Sequence, residues 1–195
     1  MNFFLLSLEQ MEKPLIVVAL PHELDHAPIP YDVPVVMTGV GKLNSALSVM
    51  QAVRKFEPSL VINFGTAGRL TERASGLVEV AEVIQRDMDA EPLAPRGMTP
   101  FDKTPPVIRS GHEGVKCASG DSFIRSADPW LHEQGVDIVD MELFAMALAC
   151  QRCQIPWRSF KYITDDTDEH AGRDWFENIH QGRDLFLTKL EQLLG

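Results

Sequence analysis

The stretch "VPVVMTGVGKLNSALSVMQAVRKFEPSLVINFGTAG", residues 33–68, decides the fold of this chain. Its opening part, 33–41, is a short apolar run that ends in glycines, which is typical of a buried strand followed by a tight turn. Residues 44–56 carry apolar side chains at helical spacing behind an Asn or Ser N-cap, and residues 59–68 repeat the apolar run and the glycine turn. The stretch therefore predicts the order strand, helix, strand.

The flanking segments extend this alternation. Upstream, "PLIVVALP" (14–21) is rich in Val and is bounded by prolines, which suits a strand buried on both faces. Such a chain predicts the α/β class with a largely parallel sheet, in which ligands bind beyond the carboxyl ends of the strands. Downstream, the patterns predict strands at 76–87, 114–121 and 157–166. They also predict a helix at 138–153 and an amphipathic C-terminal helix at 182–194.

The charge of the chain excludes several classes of partner. A net charge of -10 and a pI near 5.0 argue against binding to nucleic-acid phosphates or anionic lipid, because both need clustered Lys and Arg. No apolar segment is nearly as long as the run of about 18 uncharged residues that a membrane helix needs. The opening "MNFFLLSLEQ" has neither a basic leader nor a signal-cleavage pattern. We therefore expect a cytoplasmic protein that binds neither nucleic acid nor membrane.

The cysteines predict no disulfide framework, because there are three of them. Cys150 and Cys153 have the CxxC spacing of some metal sites, but they lie within an apolar helical pattern. Cysteine is among the most buried residue types, so core packing is favoured over a metal or redox role.

The segment "GVGKLNSA" (39–46) fits neither common nucleotide motif. Asn44 stands where a dinucleotide fingerprint needs its third glycine, and Leu43 stands where a Walker loop needs Ser or Thr. Gly39 and Gly41 remain either a place where backbone approaches a ligand closely or a simple tight turn.

A second turn, "NFGTAG" (63–68), offers polar groups at the end of the next strand. Thr66 supplies a hydroxyl, and Ala67 and Gly68 supply backbone N–H groups. Two such turns at neighbouring strand ends would form one wall of a pocket.

Three acidic residues fall at element boundaries among apolar neighbours: Glu23, Glu142 and Asp165. A carboxylate held where water is scarce can carry a raised pKa and act as an acid or a base, as the breaking of a bond with a poor leaving group requires. Helix capping or a solvated charge is the alternative for each of them.

Seven segments in one order resemble the purine and uridine phosphorylase superfamily, and within it the 5′-methylthioadenosine/S-adenosylhomocysteine nucleosidases. They are "VALPHEL", "TGVGKLNSA", "INFGTAG", "GLVEVAEVIQRDMDA", "ASGDSFI", "VDMELFAMA" and "YITDDTDE". The resemblance implies a single α/β domain over residues 1–195 with a mixed, mostly parallel twisted sheet that is partly barrel-like and flanked by helices. It implies a hydrolase that cleaves the N-glycosidic bond of a purine nucleoside, with a 5′-thio-substituted adenosine as the expected substrate.

The resemblance also gives roles to the acidic residues. Glu142 is expected to accept hydrogen bonds from the ribose hydroxyls, and Met141 to pack against the sugar. Asp165 is expected to protonate the leaving purine, and Glu23 to position and deprotonate the attacking water. No metal and no organic cofactor are implied.

The remaining expected contacts surround the base. By resemblance, Phe123 and Ile124 stack on the purine and offer it backbone hydrogen bonds, while Thr66, Ala67 and Gly68 shape the base and sugar pocket. Trp175 or Phe176 is expected to cover the 5′ substituent.

The nucleophile is expected to be water. The related phosphorylases place an arginine ahead of the "GTAG"-like turn to clamp phosphate, whereas this chain has Asn63 there. Three alternatives stay open: a purine nucleoside phosphorylase, a futalosine-type nucleosidase, and a nucleoside-binding protein without turnover.

Assembly is expected from the resemblance as well, since family members form dimers or larger assemblies. We expect a homodimer, with residues 84–106 as a possible interface. Within that range, the proline-rich loop 91–106 is interpreted as a lid, a subunit contact or a solvated loop. The segment between Glu23 and Gly39 is shorter than the resemblance leads us to expect, which predicts a trimmed sheet.

Overall fold

Eight strands of a single mixed sheet organise the part of the chain that the computed structural model describes, which is residues 13–24, 27–124, 128–167, 175, 178 and 181–195. The strands are β1 (Pro14–Val18), β2 (Val35–Met37), β3 (Leu60–Arg69), β4 (Leu77–Gln85), β5 (Val107–Arg109), β6 (Val115–Ser119), β7 (Ile138–Asp140) and β8 (Trp157–Asp165). The helices are α1 (Pro21–Leu24), α2 (Lys42–Phe56), α3 (Pro129–Glu133), α4 (Leu143–Cys153) and α5 (Arg183–Leu194), and a 3₁₀ turn spans Pro30–Asp32.

The sheet closes on itself through five of its strands. β3 pairs with β7, β7 with β6, β6 with β4, β4 with β8, and β8 again with β3. β1 and β2 extend the sheet beyond β3 in parallel, and β5 pairs with β4 in antiparallel fashion. Parallel pairings outnumber antiparallel ones among these strands, so the predicted mixed, mostly parallel and partly barrel-like sheet is confirmed.

The core lies on both faces of β1 and β3, as the continuous apolar run at 14–21 predicts. Leu15 belongs to the cluster beneath α2 and α4, whereas Ile16 belongs to the cluster beneath α5. In the second cluster the rings of Phe64 and Phe186 stack with their centroids 4.4 Å apart. The alternation of side chains along a strand therefore serves two apolar layers, which holds the strand ends in fixed places.

The free cysteines follow the packing interpretation. Cys117 and Cys150 are buried in the core, and Cys153 is half-buried beside Met50. The described residues contain no group of three or more His, Cys, Asp or Glu side chains that could hold a metal ion. None of the described helices is long and apolar enough to cross a membrane.

The predicted N-cap of α2 is wrong. The helix begins at Lys42 with Gly41 as its N-cap, and the Asn44 side chain instead donates to the Val40 carbonyl. The first N–H groups of the helix are bound by carboxylates from distant parts of the chain, because Gly41 N donates to Glu142 and Lys42 N to Asp121. A local capping rule could not identify these partners.

The predicted helix at 138–153 is also corrected. Residues Ile138–Asp140 form β7, and the helix starts only at Leu143. Asp140 accepts a hydrogen bond from Leu143 N, so its carboxylate caps the new helix and separates the strand from it. The short edge strand β5 is not predicted from the sequence, because three residues are too few to show a period.

Residues 86–106 form a loop that is tied down at its middle. Arg96 donates from Nε to the Arg86 carbonyl and forms a two-pronged ion pair with Asp128, at 3.1 and 2.6 Å. The same guanidinium stacks on the Trp130 ring, 4.4 Å from its centroid. This part of the loop is therefore fixed to the body of the protein.

Candidate functional site

A cleft of about 760 Å³, including its open mouth, lies where several strands end. Its floor comes from the residues after β1, the second half of β3, the end of β7 and the end of β8. The size falls within the range of small-molecule sites. All nine site residues predicted from the sequence line it: Glu23, Thr66, Ala67, Gly68, Phe123, Ile124, Met141, Glu142 and Asp165.

Glu23 lies in α1, directly after β1, and is almost fully buried. Its Oε2 accepts hydrogen bonds from Ala19 N at 2.8 Å and Leu20 N at 2.9 Å, and its Oε1 accepts from Thr66 N at 3.2 Å. Burial raises the pKa of Glu23, while these N–H donors and the Lys161 ammonium oppose that rise. The carboxylate is held in one orientation at the base of the cleft.

Gly65 makes room for this arrangement. A Cβ atom at Gly65 would lie 3.0 Å from Lys161 Nζ and 3.1 Å from Glu23 Oε1. Both groups therefore lie close to the backbone of β3 at Gly65, where a side chain would displace them.

Glu142 is the residue that precedes α4, and its carboxylate reaches the glycine turn before α2. Its Oε1 accepts from Gly41 N at 2.8 Å. Gly41 has φ +97°, a conformation that residues with a Cβ rarely adopt, so the turn needs glycine to aim this N–H. Burial raises the pKa of Glu142 to about 7, and the nearby Asp140 carboxylate adds to the rise.

A buried ion pair lies beneath these carboxylates. Lys161 on β8 contacts Asp140 with an Nζ to Oδ2 distance of 2.8 Å, and both side chains are nearly inaccessible. Burial lowers the pKa of Lys161, but the carboxylates of Asp140 and Glu142 raise it by more than burial lowers it. The net result is a pKa above the ordinary value of lysine. Asp140 also accepts from the Ser119 hydroxyl. Sequence reasoning did not identify Lys161, although a lysine inside the apolar run "SFKYI" was a visible signal.

Asp165 ends β8 and lines the cleft. Its Oδ1 accepts from Thr167 N at 3.1 Å, and its Oδ2 accepts from the Thr164 hydroxyl at 3.0 Å. A Cβ at Gly68 would lie 2.7 Å from Asp165 Oδ1, so this glycine allows the carboxylate to lie over β3. The Thr164 hydroxyl thus donates a hydrogen bond to the Asp165 carboxylate.

Aromatic rings form the upper wall of the cleft. Phe123 and Trp175 meet edge to face, with centroids 6.3 Å apart. Trp175 Nε1 donates to the Thr66 hydroxyl at 2.8 Å, which fixes its ring over the "GTAG" turn. Phe176, the other aromatic residue expected here, lies outside the described residues. This wall suits a flat, apolar ring system.

The cations near the cleft are already bound to protein groups. Lys42 Nζ pairs with Asp87, and Arg69 pairs with Asp166. Asn63 is buried and donates to the carbonyls of Val17 and Phe64. Among the described lining residues Arg86 is the one Lys or Arg, and its NH1 and NH2 groups donate to oxygens of the turn after β6. These residues offer no cluster of donors for a dianion.

Comparison with known proteins finds one matching family and several relatives. The family model of the phosphorylase superfamily matches residues 31–194. A 5′-methylthioadenosine/S-adenosylhomocysteine nucleosidase of Exiguobacterium sp. is 29% identical over 169 residues, which are 73% of this chain and 71% of the relative. The nucleosidase of the same name from Staphylococcus haemolyticus is 29% identical over 187 residues, covering 84% of this chain and 81% of its own.

Solved structures share the fold. A 5′-methylthioadenosine/S-adenosylhomocysteine nucleosidase from S. pneumoniae superposes with a TM-score of 0.80 at 23% identity, covering 93% of this chain and 99% of that one. A futalosine hydrolase of Helicobacter pylori superposes with a TM-score of 0.81 at 19% identity, covering 93% and 97%. At these identities the likeness establishes the architecture.

Proposed function

This chain belongs to the phosphorylase superfamily, and we propose that it hydrolyses the N-glycosidic bond of a purine nucleoside to release the free base. The observation that carries the proposal is the meeting of Glu23, Glu142 and Asp165 in one cleft, beneath an aromatic wall. The relatives named as 5′-methylthioadenosine/S-adenosylhomocysteine nucleosidases support a 5′-thio-substituted adenosine as the substrate.

Asp165 is the proposed acid toward the base. Cleavage of the bond leaves a negative charge on the purine unless a proton arrives as the bond lengthens. Asp165 lies in the cleft next to Gly68, and the Thr164 hydroxyl and Thr167 N orient its two oxygens. Fixed in this way, the carboxyl group can deliver its proton to one edge of a base stacked on Phe123.

Glu23 is the proposed base toward water. Its Oε1 has one protein donor, Thr66 N, whereas its Oε2 has two, so Oε1 has the greater capacity to accept a proton from water. Burial favours the uptake of that proton. The residue lines the same cleft as the proposed acid.

Glu142 is the proposed ribose anchor, with Met141 beside it. One oxygen of Glu142 is held by Gly41 N, which leaves the second free to accept from the sugar hydroxyls. A carboxylate that pulls on a ribose hydroxyl also stabilises the electron-poor ring that forms as the bond breaks. Ala67 and Ile124 complete the walls around sugar and base.

Water rather than phosphate is the proposed nucleophile. A phosphate dianion needs fixed positive donors, and the described cations near the cleft are committed to carboxylates or carbonyls. Asn63 stands where an arginine would be needed, and it is buried with its amide bonded to the backbone. Carboxylates outnumber cations in the cleft lining, and their negative charge disfavours the binding of phosphate.

The first test measures base release by chromatography. Methylthioadenosine, S-adenosylhomocysteine, adenosine, inosine and futalosine are incubated with the protein in buffer free of phosphate. We expect free adenine, fastest from the 5′-thio nucleosides. Nucleoside binding without base release from any of these compounds would identify a binding protein instead.

Glu142 should give the reaction a pH dependence. Its carboxyl group has a pKa of about 7, so below that pH it holds a proton and loses one acceptor for the ribose. We expect kcat/KM to fall by up to about tenfold per pH unit on this acidic limb. In Glu142→Gln the limb near pH 7 should be lost, because the group that titrates there is gone, whereas Glu133→Gln, an exposed change, should leave it in place. An identical limb in Glu142→Gln would contradict the assignment.

We propose that the chain is a homodimer that buries a groove between α2 and α4. Leu43 and Leu148 line the groove together with Arg152. Arg152 also binds Asp102 and Thr104, so the loop with the fully exposed Phe101 lies at its rim. Exposed apolar groups concentrated in one place are typical of a subunit contact.

Light scattering at micromolar concentration tests this assembly. Leu47 lies one turn beyond Leu43 on α2 and is 55% exposed, so Leu47→Asp should give monomers. Leu185 on α5 is similarly exposed, at 51%, and Leu185→Asp should leave the dimer intact. A wild-type protein with the mass of one chain would remove the proposal.

We also propose a cytoplasmic location. The three cysteines are free thiols, as in proteins of reducing compartments, and the chain is strongly acidic. Recovery of the protein with the periplasmic or secreted fraction of its host cells would contradict this.

A further inference from the structure

Arg86 is a buried charge that the proposed mechanism does not use. It is 5% exposed, it lines the cleft, and the described residues place no carboxylate within ion-pair distance of it. Within those residues its Nε–H also has no acceptor. A buried guanidinium is costly unless it is paired, so its place in the fold calls for a reason.

Among the described residues, the side chain of Arg86 donates hydrogen bonds to a single short turn. NH2 donates to the Gly120 carbonyl at 2.9 Å and also to the Ser122 carbonyl, and NH1 donates to the Ser122 hydroxyl at 3.2 Å. A Cβ at Gly120 would lie 2.9 Å from both Cγ and Cζ of Arg86, so the stem and the guanidinium lie directly against this backbone. The next residues are Phe123 and Ile124.

The backbone from which Arg86 reaches is itself fixed. Its N–H donates to the Ser119 carbonyl at 2.9 Å, which continues the pairing of β4 with β6 by one residue. Its carbonyl accepts from Arg96 Nε, and Arg96 is held by Asp128. Arg86 therefore joins a rigid sheet end to a turn whose described residues form no helix or strand.

Resting on the function proposed above, we propose that Arg86 is a positioning residue that fixes the Gly120–Ser122 turn and so holds Phe123 against the base. Donation from one guanidinium to two carbonyls two positions apart, together with the bond to the Ser122 hydroxyl, sets both the distance and the angle of the turn. Without these hydrogen bonds the Phe123 ring would occupy several positions. Nucleoside binding would then have to order the ring, which lowers the affinity. The residue acts through the turn and leaves the proton transfers to the carboxylates.

The test compares Arg86→Met with the wild type in two independent measurements. Steady-state kinetics should show a KM raised by about tenfold or more with kcat changed by less than about threefold, because the loss affects uniform binding. Hydrogen exchange should show amides 120–124 exchanging at least about tenfold faster, while those of 115–119 keep their protection. Arg109→Met, an exposed change on the neighbouring strand β5, is the matched control and should alter neither.

Exchange decides the inference even if the protein proves not to be a nucleosidase, since it needs no substrate. Unchanged exchange at 120–124 in a folded Arg86→Met protein would overturn it, and so would a loss confined to kcat. If Arg86→Met does not fold, Arg86→Lys decides: lysine lacks the second nitrogen that binds the Ser122 hydroxyl and the rigid planar fork, so the same changes are expected in weaker form, and wild-type exchange and KM would overturn the proposal.

Discussion

Asp165→Asn should lower kcat for methylthioadenosine by about 10²–10⁴-fold, the usual contribution of a positioned general acid. Asparagine keeps the size of the side chain and can still accept from Thr167 N, so the cleft should keep its shape. What it loses is the proton for the leaving base. KM should change little, because the loss is felt mainly in the transition state.

The neighbouring residue provides the control. Asp166 carries the same carboxylate one position later but points to Arg69 and does not line the cleft. Asp166→Asn should keep kcat within about threefold of the wild type, as expected for a surface ion pair. Near-normal turnover by Asp165→Asn, or equal losses in the two variants, would show that the acid lies elsewhere.

Glu23→Gln should have the second large effect, with kcat reduced by about 10²–10⁴-fold. Glutamine cannot take up the proton of the attacking water. It also has one acceptor oxygen where the carboxylate uses two, so an NH₂ group would face Thr66 N or the pair Ala19 N and Leu20 N. We therefore expect some loss of thermal stability together with the loss of turnover.

Stability and turnover can be separated for this variant. Circular dichroism melts give the change in Tm, and the assay is run well below the Tm of the variant. Glu72→Gln, in which the altered side chain is 93% exposed, should match the wild type in both measurements. A folded Glu23→Gln protein that releases base at the wild-type rate would remove Glu23 from the mechanism.

Local patterns predict most of the fold. Continuous apolar runs identify β1 and β3, because a strand covered on both faces has no polar positions to interrupt it. The glycine turns can be recognised in the sequence because a backbone conformation such as that of Gly41 excludes most other residues. Short elements such as β5 and β7 escape detection, because three residues cannot show a period and pairing partners decide them.

The site is only partly visible to such reasoning. Acidic residues at strand ends stand out, and the structure brings Glu23, Glu142 and Asp165 into one cleft. The groups that set their chemistry do not stand out, because they are distant in the chain: Gly41 lies 101 positions from the carboxylate that it binds. Arg86 is similarly hidden, since only the folded turn shows what its guanidinium holds.

The pairing of Lys161 with Asp140 illustrates the same limit in electrostatic terms. Each residue alone reads as a surface charge, and neither would be buried without the other. The Lys161 ammonium lowers the pKa of Glu23 against the effect of burial, while the Asp140 carboxylate raises the pKa of Glu142. The protonation states in the cleft are therefore a property of the assembled group of charges.

Water labelled with oxygen-18 tests the central claim most directly. Wild-type protein is given methylthioadenosine in H₂¹⁸O with phosphate present, and the sugar product is analysed by mass spectrometry. Attack by water predicts free methylthioribose that carries one ¹⁸O atom at the anomeric carbon, together with unlabelled adenine, at a rate independent of phosphate. A sugar 1-phosphate as the product, formed only when phosphate is added, would contradict the account.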